Sequence, residues 1–204
     1  MQDLNVRDEG LGDAIAYLQG RGTAPNAVKA PDKNHVAEAL LAAEKQAKRD
    51  KVRYRYEQLL GTWQLGFITG TVKTRKKAGT VMGAGRFIPS FLNIQLAYEA
   101  QEPGSDMGTV KNSVSLGPLQ LQLTGPTQFW PKTNSLAFDF TQLEVRLRGL
   151  KLYAGPVRGG ADREANFQQQ TLKDQAFFTY FLVNESCLAA RGRGGGLAIW
   201  TSKR

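Results

Sequence analysis

Apolar and polar residues alternate in several short segments after residue 60, and glycine or proline separates most of these segments. Alternation with a period of two is typical of strands that turn one face to a core. The segments are GTWQLGFIT, FLNIQLAYE, PLQLQLTG, NSLAFDF, QLEVRL, FFTYFLV and GLAIWTS. We expect Leu150 and Leu152 to extend the QLEVRL strand past Gly149. Eight to ten strands in about 145 residues predict a closed antiparallel barrel or a sandwich.

The first 60 residues carry a helical pattern instead. Apolar residues recur at helical spacing at Leu11, Ala14, Ile15 and Leu18. This spacing predicts a short amphipathic helix that ends near Gln19. A longer helix is predicted to begin after Asp32 or Asn34 as its N-cap and to end near Leu60. The chain therefore divides into an N-terminal helical appendage, residues 1–60, and a β-domain, residues 61–204.

Composition excludes several kinds of chemistry. The 204 residues include one histidine, His35, and one cysteine, Cys187. These cannot form a zinc cluster, a disulfide framework or a thiol dyad with a second histidine to orient it. No pair of carboxylates is predicted to converge on one pocket. We therefore expect a protein that is not an enzyme and that uses neither a metal nor a cofactor.

The net charge of +9 arises from 27 basic and 18 acidic residues, and most of the basic surplus lies after residue 60. Four basic residues cluster between the first two predicted strands, at Lys73, Arg75, Lys76 and Lys77. Such a loop can contact a phosphate head group or an anionic membrane, or can be a solvated hairpin tip. Nucleic acid is disfavoured because no aromatic residue is interleaved with the cluster. The chain has no apolar run of 18 residues and no targeting segment at its N-terminus, so we expect a protein that is soluble or peripheral to a membrane.

Two further features suggest how one end of a barrel is closed. Gly61 and Trp63 open the first predicted strand, and glycine permits close backbone approach there. Arg191 and Arg193 lie in a glycine-rich segment that is predicted to be a hairpin turn rather than an RNA-binding repeat. We expect one of these arginines to lie over the Trp63 indole.

Six aromatic residues are predicted to face the interior of the barrel. They are Trp63, Phe67, Tyr98, Phe138, Phe140 and Tyr180. An eight-stranded barrel can enclose one small ligand or can be filled by its own side chains. Both possibilities remain open at this stage.

The residues after about position 45 resemble the plastid lipid-associated proteins, also called fibrillins or plastoglobulins, in their cyanobacterial form. The similar stretches are YEQLLGTWQLGFITG, TVKNSVSLGPLQLQLTGPTQFW, LAFDFTQLEVRL and, most specifically, FFTYFLVNESCLAARGRGGGLAIWTSK. The resemblance implies a lipocalin-like β-barrel preceded by a helix. It also implies binding of lipids, prenylquinones or carotenoids at thylakoid membranes or plastoglobules, in a cyanobacterium or a plastid.

Two functions follow as expectations. The first is non-enzymatic binding of a lipid or isoprenoid, with apolar contact in the barrel and head-group contact through the basic loop. The second is a scaffold or assembly factor that has no ligand and docks a photosynthetic or prenyl-synthesis enzyme through residues 34–60. An enzyme acting on a bilin or isoprenoid is a third, weaker possibility, since fold alone does not determine function.

Overall fold

A computed structural model describes residues 9–20, 29–70, 85–157 and 159–203. The predicted head-group cluster, Lys73, Arg75, Lys76 and Lys77, lies outside the described residues. The described chain contains three α-helices, which are α1 (Glu9–Gly20), α2 (Lys33–Arg49) and α3 (Gly160–Asn166). Short 3-10 helices follow at Tyr56–Leu59 and Phe167–Gln169.

The same residues form eleven strands in one antiparallel sheet. The strands are β1 (Gly61–Ile68), β2 (Arg86–Phe87), β3 (Leu92–Ala100), β4 (Met107–Leu116), β5 (Leu119–Trp130), β6 (Ser135–Phe138), β7 (Gln142–Leu147), β8 (Leu150–Pro156), β9 (Ala176–Val183), β10 (Cys187–Gly192) and β11 (Leu197–Ser202). Eight of them close into a barrel in the order β4-β3-β1-β11-β10-β9-β6-β5, because β4 also pairs with β5. The predicted mainly β barrel with a helical segment before it is confirmed.

Helix α2 begins where it was predicted to begin. The Asp32 side chain accepts hydrogen bonds from the backbone N–H groups of Asn34 and His35, at 2.9 and 3.0 Å. An aspartate at this position satisfies N–H groups that have no partner within the helix. The first predicted helix is confirmed as α1, which ends at Gly20, one residue past the predicted end.

The predicted end of the longer helix at Leu60 is wrong. Helix α2 ends at Arg49, and Lys51 adopts a left-handed conformation with φ of 53°. The Val52 N–H then donates to the Ala47 carbonyl at 3.0 Å, which is a common way to satisfy the last carbonyls of a helix. The chain after Val52 leaves the helix direction and enters the base of the barrel.

The lower half of the barrel, where β1 begins, is filled by a buried cluster. Its largest members are Tyr56, Trp63, Tyr98, Phe129, Tyr180 and Trp200. Tyr56 and Leu59 come from the 3-10 helix, which therefore closes this end from below. The segment between α2 and β1 is thus part of the barrel core.

A second cluster lies outside the barrel, where α1 and α2 pack against β1, β9, β10 and β11. The helices contribute Leu11, Ala14, Leu18, Val36 and Leu40, and the strands contribute Phe67, Phe181, Ala189, Leu197 and Ile199. This arrangement explains why FFTYFLV is apolar on both faces. One face of β9 points into the barrel, and the helices cover the other.

Phe67 belongs to this outer cluster, so its predicted position inside the barrel is wrong. Leu65 pairs with Trp200, whereas Phe67 pairs with the very next residue back along β11, Ile199. Gly66 is therefore an extra residue, a β-bulge, and it reverses the alternation of the strand. A Cβ atom on Gly66 would lie 2.4 Å from Leu18 Cδ1, so any larger residue here would force the Leu18 side chain of α1 to move. Ile68 takes the inward position instead.

The sheet opens at the end opposite the 3-10 helix. The second half of β5 pairs with β6, which joins β9 and closes the barrel, but its first half pairs with β7. Strand β7 then pairs with β8 through a turn at Arg148 and Gly149, with φ of 50° and 82°. The predicted single strand through Gly149 is therefore a hairpin. We call the joined upper parts of β3, β4 and β5 with β7 and β8 the open sheet.

Candidate functional site

Three of the six predicted interior aromatics are packed core residues of the lower barrel. Trp63, Tyr98 and Tyr180 are each at most 4% exposed. The hydroxyl groups of Tyr98 and Tyr180 form a hydrogen bond of 2.8 Å. Burial raises the pKa of both phenols well above the usual value, so both hydroxyl groups stay protonated at neutral pH. These side chains fill the lower barrel, so they do not line a cavity there.

Gly61 and Trp63 do lie at the closed end of the barrel. Gly61 has φ of 117°, a conformation that side chains with a Cβ rarely adopt. The Trp63 indole Nε1 donates to the Leu59 carbonyl at 2.7 Å and so ties β1 to the 3-10 helix.

Arg191 does not lie over the Trp63 indole, and the predicted lid is wrong. Trp63 pairs with Ser202 at one end of β11, while Arg191 pairs with Leu197 at the other. Five residues of strand separate these positions by about 17 Å. The Arg191 guanidinium instead binds both carboxylate oxygens of Glu44 on α2, and this contact raises its pKa.

Arg193 is likewise engaged elsewhere. Its guanidinium donates to the carbonyls of Asp174 and Gln175, at 3.2 and 2.9 Å. It therefore fixes the chain just before β9. The prediction of a hairpin turn is confirmed, since the Gly192–Gly196 segment connects β10 to β11.

Phe138 and Phe140, the remaining predicted residues, lie together at the open end. Their ring centroids are 5.4 Å apart, and Phe138 stacks on Phe178 at 5.0 Å. Phe178 in turn meets the edge of Trp200 at 5.2 Å. Phe138, Phe140 and Phe178 are only half-buried, so they form an aromatic floor above the packed core. We call this region the mouth.

The wall of the mouth is the apolar face of the open sheet. Residues directly opposite each other on paired strands share a face. The row nearest the core is Leu96, Asn112, Leu123, Leu143 and Gly155, and the middle row is Ile94, Val114, Leu121, Val145 and Tyr153. The outermost row, which we call the tip row, is Leu92, Leu116, Leu119, Leu147 and Leu150.

Exposure rises along this face, from 6% at Leu96 to 71% at Leu150. The mostly apolar lining of the barrel therefore extends onto the surface. The sequence pattern predicted most of these inward positions, but not that the strands leave the closed barrel.

Asn112 interrupts the apolar face and was not singled out in the sequence. It lies between Val110 and Val114 on the inward side of β4. Its side-chain oxygen is buried and has no hydrogen-bond partner among the described residues. An unpaired buried acceptor costs free energy, so this atom favours any donor that reaches it. The signal in the sequence was that the alternate positions 110, 112 and 114 read Val, Asn and Val, with one polar residue on an otherwise apolar face.

Two clefts open elsewhere on the described surface. One, of about 950 Å³, lies between the end of α1, the outer side of β1 and the segment before β3, and includes Leu18, Leu65 and Ile88. The other, of about 760 Å³, lies at the closed end beside Leu60 and Trp63. Both are lined by a mixture of polar and apolar residues, and the first also borders the open sheet at Leu92.

The apolar side chains of the predicted protein-docking segment, residues 34–60, are packed against the rest of this chain. Val36 and Leu40 are buried in the outer cluster. The side that remains exposed carries basic residues, at Lys45, Lys48, Arg49, Lys51, Arg53 and Arg55. Docking of a partner on this segment stays a prediction.

No group of three or more metal-ligating side chains occurs in the described part of the chain. Burial raises the pKa of the Cys187 thiol to about 11, so little thiolate forms at neutral pH. No helix in the described ranges is both long enough and apolar enough to cross a membrane.

Comparisons with known proteins give no identification. No protein-family model matches this chain, and no curated protein matches it at a significant level. The resemblance to the plastid lipid-associated proteins therefore stays a prediction.

Proposed function

We propose that this protein binds a lipid or isoprenoid, such as a prenylquinone or carotenoid, without transforming it, at a photosynthetic membrane or lipid body. One observation carries the proposal. The inner apolar face of the barrel extends past the closed part as a half-buried mouth floored by Phe138, Phe140 and Phe178. A partly buried apolar surface with few polar groups is typical of the lining of ligand sites.

The ligand lies in the mouth rather than deep in the barrel, because the lower half is filled by its own aromatic side chains. Five strands at about 4.8 Å spacing make the wall roughly 19 Å wide. A long apolar chain laid across the inner and middle rows would cover Leu123, Leu143 and Val145, which are half-buried without it. The hydrophobic effect supplies the affinity.

Asn112 suggests a polar end on the ligand. Its unpaired oxygen can accept one hydrogen bond from a hydroxyl group. A ligand with a hydroxyl would satisfy this acceptor, whereas a pure hydrocarbon would leave it buried and unpaired. The proposed ligand class is therefore an apolar chain with a hydrogen-bond donor at one end, such as the reduced (quinol) form of a prenylquinone or a hydroxylated carotenoid.

The test is a titration of the purified protein with a fluorescent long-chain alcohol and with the corresponding alkane. We expect tighter binding of the alcohol. Phe138→Ser removes apolar contact that contributes about 1.5–3 kcal/mol, so it weakens binding roughly ten- to hundredfold. Leu150→Ser, at the exposed tip row, is the matched control and leaves the affinity unchanged.

Asn112→Leu separates the polar contact from the apolar one. It removes the preference for alcohol over alkane while leaving alkane binding intact. If the unaltered protein binds neither the alcohol nor the alkane, the proposal is contradicted and the scaffold alternative is favoured.

A further inference from the structure

The tip row lies at two hairpin turns that stand side by side. Leu116 and Leu119 flank the turn between β4 and β5, and Leu147 and Leu150 flank the turn between β7 and β8. Leu119 pairs directly with Leu147, so the four leucines form one continuous line across four strands. All four are more than a third exposed. Large exposed apolar groups in a contiguous patch mark an interaction surface.

The charges beside this line are mostly positive. Arg148, in the turn between β7 and β8, is exposed and forms no ion pair within the described chain. Arg146 and Lys151 both contact the single acid on this part of the sheet, Glu144. Three cations against one carboxylate leave a positive surplus at the hairpin tips.

The two faces of the open sheet differ in polarity at the same height. Between the tip and middle rows, the residues that point to the other, outer face of the sheet are polar. They are Asn93, Ser115, Gln120, Arg146 and Lys151. The sheet is therefore amphipathic up to its edge, with cations on the polar side and leucines on the other. This is the distribution that suits a boundary between apolar chains and anionic head groups.

We infer that the tip row enters the surface of an anionic lipid bilayer, with Arg148 and Lys151 at the level of the lipid phosphates. A second copy of this chain is a poorer occupant, because two such tips would bring their cations together. The inference rests on the proposed function, since it places the mouth against the surface from which a lipid or isoprenoid would enter. It adds the residues that make the contact.

The experiment is flotation with vesicles of phosphatidylcholine alone and of phosphatidylcholine with phosphatidylglycerol. We expect binding to the anionic vesicles and much weaker binding to the neutral ones. Replacing Leu119, Leu147 and Leu150 together with serine should weaken binding more than a hundredfold, at roughly tenfold for each leucine. Trp130→Ser, at the opposite end of β5, should leave it unchanged.

A second pair of variants tests the contact between the cations beside the tip row and the anionic lipids. Arg148→Glu should weaken binding to anionic vesicles several-fold, whereas Lys132→Glu, in the turn after β5, should not. Because all the replaced tip leucines are exposed, the triple variant should show the same circular dichroism spectrum as the unaltered protein.

Equal flotation of the triple variant and the unaltered protein would overturn the inference, as would absence of flotation with either vesicle. A dimer that the triple variant converts to a monomer, without vesicle binding, would overturn it in favour of self-association. The fluorescent-alcohol titration distinguishes the two proposals. If the unaltered protein binds the alcohol but no vesicle, only the membrane contact fails, and if it binds neither, the proposed function fails as well.

Discussion

Phe67→Ala is expected to lower the free energy of unfolding by about 3–5 kcal/mol, the range for large-to-small substitutions of buried aromatics. The side chain is fully buried in the outer cluster. Its ring meets the Phe87 ring at a centroid distance of 5.0 Å, and a Cβ atom on Gly85 would lie 1.8 Å from its tip. The backbone therefore fits closely around the ring, and its removal leaves a cavity.

The measurement is chemical denaturation, followed by circular dichroism, together with the alcohol titration. The loss should appear in stability and not in ligand affinity, because Phe67 lies outside the barrel. Phe138→Ala is the matched control, in which a half-buried phenylalanine of the mouth is replaced. Compared with Phe67→Ala, Phe138→Ala should lower the free energy of unfolding less and should lower the affinity for the alcohol more. A stability loss below about 1 kcal/mol for Phe67→Ala, combined with loss of the ligand, would place Phe67 inside the barrel after all.

Removal of residues 1–49 is expected to prevent recovery of a folded barrel. It uncovers Phe67, Phe181, Leu197 and Ile199, which α1 and α2 bury. At about 1.5–3 kcal/mol for each side chain, the loss is roughly 6–12 kcal/mol, comparable to the whole stability of a typical domain. The Arg191 guanidinium also loses Glu44, its partner on α2. Cooperative unfolding of fragment 50–204 at the full-length midpoint would contradict this expectation.

This result bears on the scaffold alternative. Deletion of the helix cannot show that residues 34–60 bind a partner, because the same deletion damages the barrel. The clean variant is Lys48→Glu with Arg49→Glu, since both side chains are exposed. It should fold normally, so any loss of a partner protein in a pull-down would then arise from the contact itself.

Much of the barrel could be predicted from the sequence because its strands have one apolar face each. Leu92, Ile94, Leu96 and Tyr98 all face inward as their alternation indicates. The N-cap at Asp32 was also predictable, since aspartate there meets a local need of the helix. Such features depend on neighbours within a few residues.

The errors come from single residues that change the direction of the chain. The bulge at Gly66 turns Phe67 to the outer face of the strand, although apolar and polar residues continue to alternate in the sequence on either side of it. Lys51 ends α2 in a left-handed conformation more typical of glycine, so no stop signal was visible. Arg148 adopts the same conformation and, together with Gly149, opens the hairpin between β7 and β8. A pattern of apolar positions carries little information about bulges or about residues other than glycine that adopt a left-handed conformation.

Other features of the site depend on residues far apart in the chain. Arg191 and Glu44 are separated by 147 residues, so their ion pair could not be inferred from the glycine-rich turn. The mouth exists because β6 and β7 pair with different halves of β5, and because β6 then pairs with β9 whereas β7 pairs with β8. Phe138 and Phe140 were predicted as interior residues, but their half-buried position at the opening follows only from this divergence.

The most direct test of ligand binding at the mouth is a crystal structure with a long-chain alcohol brominated at the end of its chain. Anomalous scattering from bromine gives the position of the chain without assumptions about its fit. The account predicts a bromine peak against Phe138 and Phe178 or over the middle row of the open sheet, with the alcohol hydroxyl at Asn112. A peak in the cleft between α1 and β1 beside Leu18, or no peak in a crystal grown with saturating alcohol, would contradict it.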